Sequence, residues 1–287
     1  MATSSPAVSS QARKADLLRS LHADGGMLLL PNVWDPIGAR VLEATGYRAV
    51  ATTSAGVAMS LGYEDGQRVR RATVLEILER IAGSVDVPVT ADIERGYGES
   101  IEELQDTIAQ VIAAGVVGIN LEDGLADRSG LRPVEEQCAR IAAVRDAAAR
   151  AGVPLVINAR TDSYLSERTR NAEERLEESA TRAAAYTEAG ADCSYPIGPG
   201  DAATVRALRA RIRGPMNILG GPDAAPLAEL RAIGVQRVSF GSYLFRASLG
   251  TFASSVRELR DKGTYDALRG SVPGAAMLKH WLRPGPE

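Results

Sequence analysis

The stretch Ala113-Ala-Gly-Val-Val-Gly-Ile-Asn-Leu-Glu-Asp-Gly124 carries the pattern that decides the fold. An amphipathic segment ends in small residues plus Gly115, and an apolar run follows at once. A glycine just past the last helical turn supplies the left-handed C′ conformation, and the apolar run after it reads as a buried parallel strand. The same junction recurs at Glu43-Ala-Thr-Gly46, Ala151-Gly152, Glu188-Ala-Gly190 and Ala232-Ile-Gly234. This is the helix-to-strand half of a βαβ unit, repeated.

Working outward, strands are expected at residues 27–30, 48–54, 87–94, 116–123, 154–161, 191–197, 215–220 and 235–240, with helical stretches between them. Eight parallel strands fit a closed (β/α)8 TIM barrel better than an open doubly wound sheet. A helix near residues 12–23 is extra, as are helical segments at 243–263 and 265–281. Such terminal helices cap a barrel end or embrace a neighbouring subunit. Residues 1–11 are Ser/Ala-rich without an apolar signal core and read as a disordered tail. Residues 12–287 contain no linker or composition break and read as a single domain.

With 45% hydrophobic and 24% charged residues the chain can build a substantial core. Its net charge of -3 leaves no footprint for nucleic acid or an anionic membrane surface. No run of about 18 apolar residues is present to span a membrane. Two cysteines, Cys138 and Cys193, make no disulfide framework, and the cytoplasm is the expected compartment. Lysine occurs only at positions 14, 262 and 279, and histidine only at 22 and 280, all near the chain ends. A Schiff-base lysine in the core, a His-rich zinc site and a Ser-His-Asp triad are therefore excluded. The chemistry must rest on carboxylates, arginines, hydroxyls, two thiols or an oxygen-held metal.

The C-terminal strand ends form the mouth of a barrel. Side chains alternate along a strand, so Asp92 shares a face with Glu94, Asn120 with Glu122, and Asn158 with Arg160 and Asp162. Carboxylates converging on one mouth repel one another unless a cation or protons intervene. All-oxygen ligation by Asp92, Glu94 and Glu122 suits Mg2+ or Mn2+. Asp123 and Asp162 either join this set or cap the helices that follow. Arg160 either neutralises the carboxylates or holds a substrate carboxylate. Thr52-Thr-Ser-Ala-Gly56 reads as a turn that offers N–H and O–H donors to an anion. Tyr195, ending the sixth strand, is a proton donor or a core tyrosine. Cys138 reads as a packing residue.

Taken in order, Pro31-Asn-Val-Trp-Asp35, Thr52–Gly56, Ser60-Leu-Gly-Tyr-Glu-Asp65, Ala91–Gly98, Gly118–Gly124 and Ala159-Arg-Thr-Asp162 resemble the isocitrate lyase/phosphoenolpyruvate mutase superfamily. The resemblance runs from Pro31 to about Gly241. It implies a Mg2+-dependent barrel that breaks or forms C–C or P–C bonds beside a 2-oxo acid. It also implies a homodimer or homotetramer that exchanges its C-terminal helices. By the same resemblance Asp92, Glu94 and Glu122 hold the metal with Asp65 further out. Arg160 then meets substrate carboxylate or enolate, and Thr53, Ser54 and Ala55 cradle a carboxylate. Trp34 and Asn120 complete the expected substrate contacts. The loop after strand four departs from the lyase pattern: Ser129 stands where those enzymes carry a catalytic cysteine, and Leu131 where they carry histidine. Ser129 is the candidate at that position, with a hydroxyl far less acidic than a thiol of pKa about 8.5. The resemblance therefore favours cleavage or decarboxylation of an oxaloacetate-like acid. The rivals are P–C bond chemistry and a non-catalytic metabolite-binding barrel.

Overall fold

The computed structural model describes residues 6–127, 129–166, 171–270 and 272–282. Among them are the strands β1 (Leu28–Leu30), β2 (Asn32–Val33), β3 (Val50–Thr52), β4 (Val89–Asp92), β5 (Gly118–Glu122), β6 (Val156–Thr161), β7 (Cys193–Pro196), β8 (Asn217–Leu219) and β9 (Arg237–Ser239). β2 to β7 pair in sequence order, and β1, β9 and β8 pair in a second run, all parallel. A parallel bridge between Ser194 and Met216 joins β7 to the strand-eight side. β1 and β2 are one barrel strand broken at Pro31, which has no N–H to donate. Its first half pairs with β9 and its second with β3, which closes the ring. Each of the eight expected strands contains an observed one. The extension Asn32–Val33 was not foreseen, because proline reads as a strand stop.

All five junction glycines adopt positive φ, from 70° at Gly152 to 112° at Gly190. The helices they end cover the ring on the outside. Ile119 and Leu121 of β5 are fully buried and pack in one apolar cluster with Leu104 and Ile108 of α5 (Ile101–Ala113) and Ile141 and Val144 of α6 (Val134–Ala151). The alternating residues Asn120 and Glu122 turn the other way and border a cavity.

The first helix, α1 (Pro6–Ser20), corrects two expectations. It starts at Pro6 rather than near residue 12, so the tail read as disordered through residue 11 is helical from Pro6 on. Residues 1–5 lie outside the described residues. Proline suits the first helical position, and the Gln11 amide fixes this turn by donating to the carbonyls of Ile112 (2.7 Å) and Val116 (3.0 Å). Leu18 is fully buried, and a Cβ added to Gly118 at the start of β5 would lie 2.7 Å from its Cδ2. The helix therefore plugs the barrel end opposite the mouth. At the other terminus stand α10 (Tyr243–Lys262) and α11 (Ala275–Trp281), shorter than the second segment expected there. α11 lies against α2 (Pro36–Ala44), where Arg40 Nη1 donates to the Trp281 carbonyl at 3.2 Å.

Residues 52–56 are not a plain turn. Ser54–Ser60 form a short helix, α3, capped by Thr53, whose hydroxyl accepts from Gly56 N at 3.2 Å. The residue at 56 must be small: an added Cβ would sit 2.4 Å from Thr53 Cγ2.

Candidate active site

The strand ends open into a cavity of about 1120 Å3. Register builds its floor in rows. Asp92, Asn120 and Asn158 stand level across β4, β5 and β6, and Glu122, Arg160 and Tyr195 stand level one step nearer the mouth. Asp65, Asp92, Glu94, Glu122, Arg160, Asn120, Tyr195, Thr53, Ser54 and Ala55 all line this one space.

Arg160 is the hub. Its Nε and Nη2 donate to Asp162 at 2.6 and 3.0 Å, and its Nη1 lies 2.8 Å from Glu122 Oε2. Arg95 Nη1 approaches Glu122 from the other side at 3.4 Å. Burial pushes the Glu122 carboxyl up while Arg160 pulls it down. Burial likewise raises Asp92, whose Oδ2 accepts from Ser54 Oγ at 2.9 Å. Glu94 is pushed up to about 7, by burial first and then by Asp65 and Asp92. Its Oε1 accepts from Tyr97 OH at 3.0 Å.

Strand alternation does not place Glu94. β4 ends at Asp92, and Glu94 adopts φ 52° beyond it. The non-glycine residues with positive φ among the described residues are Gln67, Glu94 and Tyr97. All three belong to this neighbourhood, since Gln67 Oε1 accepts from Arg95 at 3.1 Å. Left-handed backbone at such residues costs of order 1–3 kcal/mol each and persists where the surroundings enforce it. Here it turns the Glu94 and Tyr97 side chains toward the carboxylate group.

Asp123 and Asp162 do not cap helices: α6 is capped at Pro133 and α7 (Ala172–Glu188) at Asn171. Asp162 chelates Arg160. Asp123 is fully buried on the far side of β5, where it accepts from Tyr186 OH at 2.7 Å and pairs with Arg182 at 3.2 Å.

Three expected site residues behave differently. Trp34 does not line the cavity; its ring meets Phe245 edge-on at 5.0 Å and is spent on seating α10. Ser129 is exposed and outside the lining, with its N–H on Asp127 Oδ1 at 2.9 Å, although Asp127, Gly130 and Leu131 of the same loop do face the cavity. Tyr195 lines it, but its hydroxyl bonds to Ser239 and burial pushes it up to about 12, which makes a poor acid. Sequence reading missed Arg95, Tyr97, Ser239 and Arg237. For Ser239 and Arg237 the signal was present, because i and i+2 on the last strand share a face.

A cation would need oxygen donors. Among the described residues no three Asp, Glu, His or Cys side chains already form a metal cage. The donor set nevertheless fits a hard cation. Asp65 Oδ1 is buried without a hydrogen-bond partner, and Asp65 and Asp92 raise the Glu94 pKa together. A positive charge placed between them would relieve both. Mg2+ keeps several waters and needs only one or two direct carboxylates.

The mouth of this parallel barrel gathers carboxylates and an arginine around one cavity, at the end of the fold where such barrels carry their active sites. The chain belongs to the phosphoenolpyruvate phosphomutase family, within the isocitrate lyase/phosphoenolpyruvate mutase superfamily: the family's pattern matches residues 18–260. An uncharacterised protein of Mycobacterium tuberculosis is 32% identical over 90% of this chain and 93% of its own length. A crystal structure of a "putative phosphonomutase" from Burkholderia cenocepacia J2315 is 42% identical, with TM-score 0.81, covering 86% of this chain and 99% of that one. A phosphonopyruvate hydrolase solved with oxalate and Mg2+ has the same fold, with TM-score 0.80 at 24% identity over 93% of this chain and 94% of that one. Among the described residues no helix is long and apolar enough to cross a membrane.

Proposed function

We propose that the protein is a Mg2+-dependent lyase-type enzyme that cleaves or decarboxylates a small, oxaloacetate-like 2-oxo acid through a pyruvate enolate. The observation that carries this is the convergence of Asp65, Asp92, Glu94 and Glu122 with Arg160 on one cavity. Asp92, Glu94 and Glu122, directly or through water, and Asp65 further out, would hold the cation. When bound, it would supply positive charge beside the 2-oxo and carboxylate oxygens, where the enolate develops.

The remaining work falls to the chain's own groups. Arg160 uses three of its five N–H donors on Asp162 and Glu122, and the two left over can take a substrate carboxylate oxygen. Its fixed charge then offsets the enolate without reorganising. The Ser54 hydroxyl, already on Asp92, and Thr53 and Ala55 line the wall against which the carboxylate would rest. Residues 124–127 with Gly130 and Leu131 border the cavity, where their closure over a bound acid would exclude water. Ser129 faces solvent and offers no thiol, which argues against cleavage of the isocitrate type. The family's description, phosphoenolpyruvate phosphomutase, favours a second reading, P–C bond chemistry on the same residues, for which phosphonopyruvate is the acid to try.

The test is thermal stability with Mg2+ and oxalate, a mimic of the pyruvate enolate, in wild type and Asp92→Ala. Ligand at a hundredfold excess over Kd stabilises by about 2.7 kcal/mol. A rise in wild type that the variant loses supports the site. Pyruvate release from oxaloacetate, or phosphate release from phosphonopyruvate, then chooses the substrate. Full metal-dependent turnover in Asp92→Ala would sink the scheme, and a protein that binds oxalate tightly yet turns over neither acid would be a non-catalytic barrel.

We infer a homo-oligomer from α10, where Leu249, Val256, Leu259 and Phe252, the last 66% exposed, leave apolar surface uncovered in one chain. Phe252→Asp is expected to lower the mass seen by analytical ultracentrifugation to that of a monomer; an unchanged mass would remove α10 from the interface.

A further inference from the structure

Arg237, which stands level with Asn217 of β8, is fully buried on β9. Among the described residues no carboxylate pairs with it. Among the described residues its Nε and Nη1 have no hydrogen-bond partner, and its Nη2 donates to Asn120 Oδ1 at 3.2 Å. The groups around it are Cys193, Tyr195, Asp92 and, from α1, His22. A guanidinium kept in the core without an ion pair is a poor choice for stability alone.

Its effect on Asn120 is specific. Arginine carries donors and no acceptor, so the Asn120 atom that meets it has to be the oxygen. The same Oδ1 also accepts from Asn158 Nδ2 at 2.8 Å. Two donors on one oxygen settle which way the amide stands. Among the described residues the Asn120 Nδ2 is then left with no partner, and it is not among the buried, sealed-off polar atoms. Asn120 borders the cavity, in the row directly beneath Glu122 and Arg160. The free end of the amide therefore belongs to whatever occupies that space.

We propose that Arg237 is a positioning residue: by holding Asn120 Oδ1 it presents the Asn120 NH2 group as a hydrogen-bond donor to an anionic oxygen of the bound acid. This rests on the reading of the cavity as a carboxylate site. Without Arg237 only the Asn158 amide holds that oxygen. Because Asn158 Oδ1 has no partner of its own among the described residues, the two amides can turn over together and offer the ligand the Asn120 oxygen, which would repel it.

The experiment uses the full chain labelled with 15N, and follows the side-chain amide signals of Asn120, assigned by their loss in Asn120→Ala. In ligand-free protein Arg237→Met should shift or broaden this amide pair, and Arg237→Lys, which keeps a donor, should restore most of it. With Mg2+ and oxalate, calorimetry should give about tenfold weaker binding in Arg237→Met and in Asn120→Ala. The double variant should be no weaker than Asn120→Ala alone, because Arg237 acts through Asn120. An unchanged amide pair in Arg237→Met, or a double variant whose loss is the product of the two single losses, overturns the proposal. Should Arg237→Met not fold, Arg237→Leu makes the same test, since it too removes the donor to Asn120. Wild-type protein that fails to bind oxalate would refute the carboxylate-site reading instead, and the ligand-free amide signals would still decide whether Arg237 sets Asn120.

Discussion

Glu122 and Asp123 are neighbours in the chain, and each is buried against arginine, yet the two networks differ in kind. Asp123 closes on itself. It accepts from Tyr186 OH, Arg182 Nη1 and the Asp162 N–H, and Arg182 goes on to the Arg132 carbonyl at 2.9 Å and to Glu178 at 2.5 Å. Among the described residues, no buried polar atom of Asp123, Arg182 or Tyr186 is left without a partner. Glu122 lies in an open network instead. Arg160 retains spare donors, Arg95 Nε and Asp65 Oδ1 are orphaned, and a cavity lies alongside. Burial and an ion pair are common to both. Unused hydrogen-bonding capacity beside empty space separates the one that can do chemistry from the one that holds α7 to the barrel.

The contrast can be broken by experiment. Arg160→Ala should weaken oxalate binding with Mg2+ by about 100-fold in calorimetry, because it removes a buried charge the ligand itself needs. It should cost less in stability than the next change, since water in the cavity can solvate what is left. Arg182→Met should cost about 3–5 kcal/mol in urea unfolding by stranding Asp123, while the folded variant still binds oxalate. If Arg182→Met abolishes binding without loss of stability, the two networks are not separate in function.

His22 offers a gentler comparison, a buried group bonded to the Leu18 carbonyl at 2.8 Å with Nε2 unpartnered. Burial, with Arg237 adding to it, lowers its pKa to about 4. The folded state thus binds fewer protons than the unfolded chain between about pH 4 and 6.5, so stability falls as pH drops through that window. The loss approaches roughly 3 kcal/mol. Unfolding curves at pH 7 and pH 4.5 should separate less in His22→Asn; equal separation would acquit His22. The smallest effect belongs to Ser129→Ala, which should change turnover by less than about twofold. A larger loss in a steady-state assay would mean that the loop carries Ser129 into the cavity during turnover.

Much of this was legible in the sequence, for physical reasons. The glycine junctions mark helix ends because few other residues tolerate positive φ, and five of five do so here. Asp92, Glu122 and Arg160 were readable because alternation within a strand is rigid. Glu94 reached the site by another route, through a left-handed backbone that alternation does not describe. Trp34 was misplaced because a motif gives order along the chain, not the direction of a ring that packs on Phe245 from a distant helix. The helix at Ser54–Ser60 hid behind hydroxyls and a glycine that read equally well as a turn.

The plug at the closed end of the barrel has a consequence for synthesis. α1 is made before every strand it seals, but its anchors come from far along the chain. They are the carbonyls of Val85, Ile112 and Val116, then Pro154 and Leu155, and finally the Asp192 carboxylate. This helix has nothing complete to dock on until Asp192 has emerged. It must wait as an isolated segment of 15 residues, a length at which helices in water are marginal. α1 thus acts as a closing latch in assembly, set after the strands it seals.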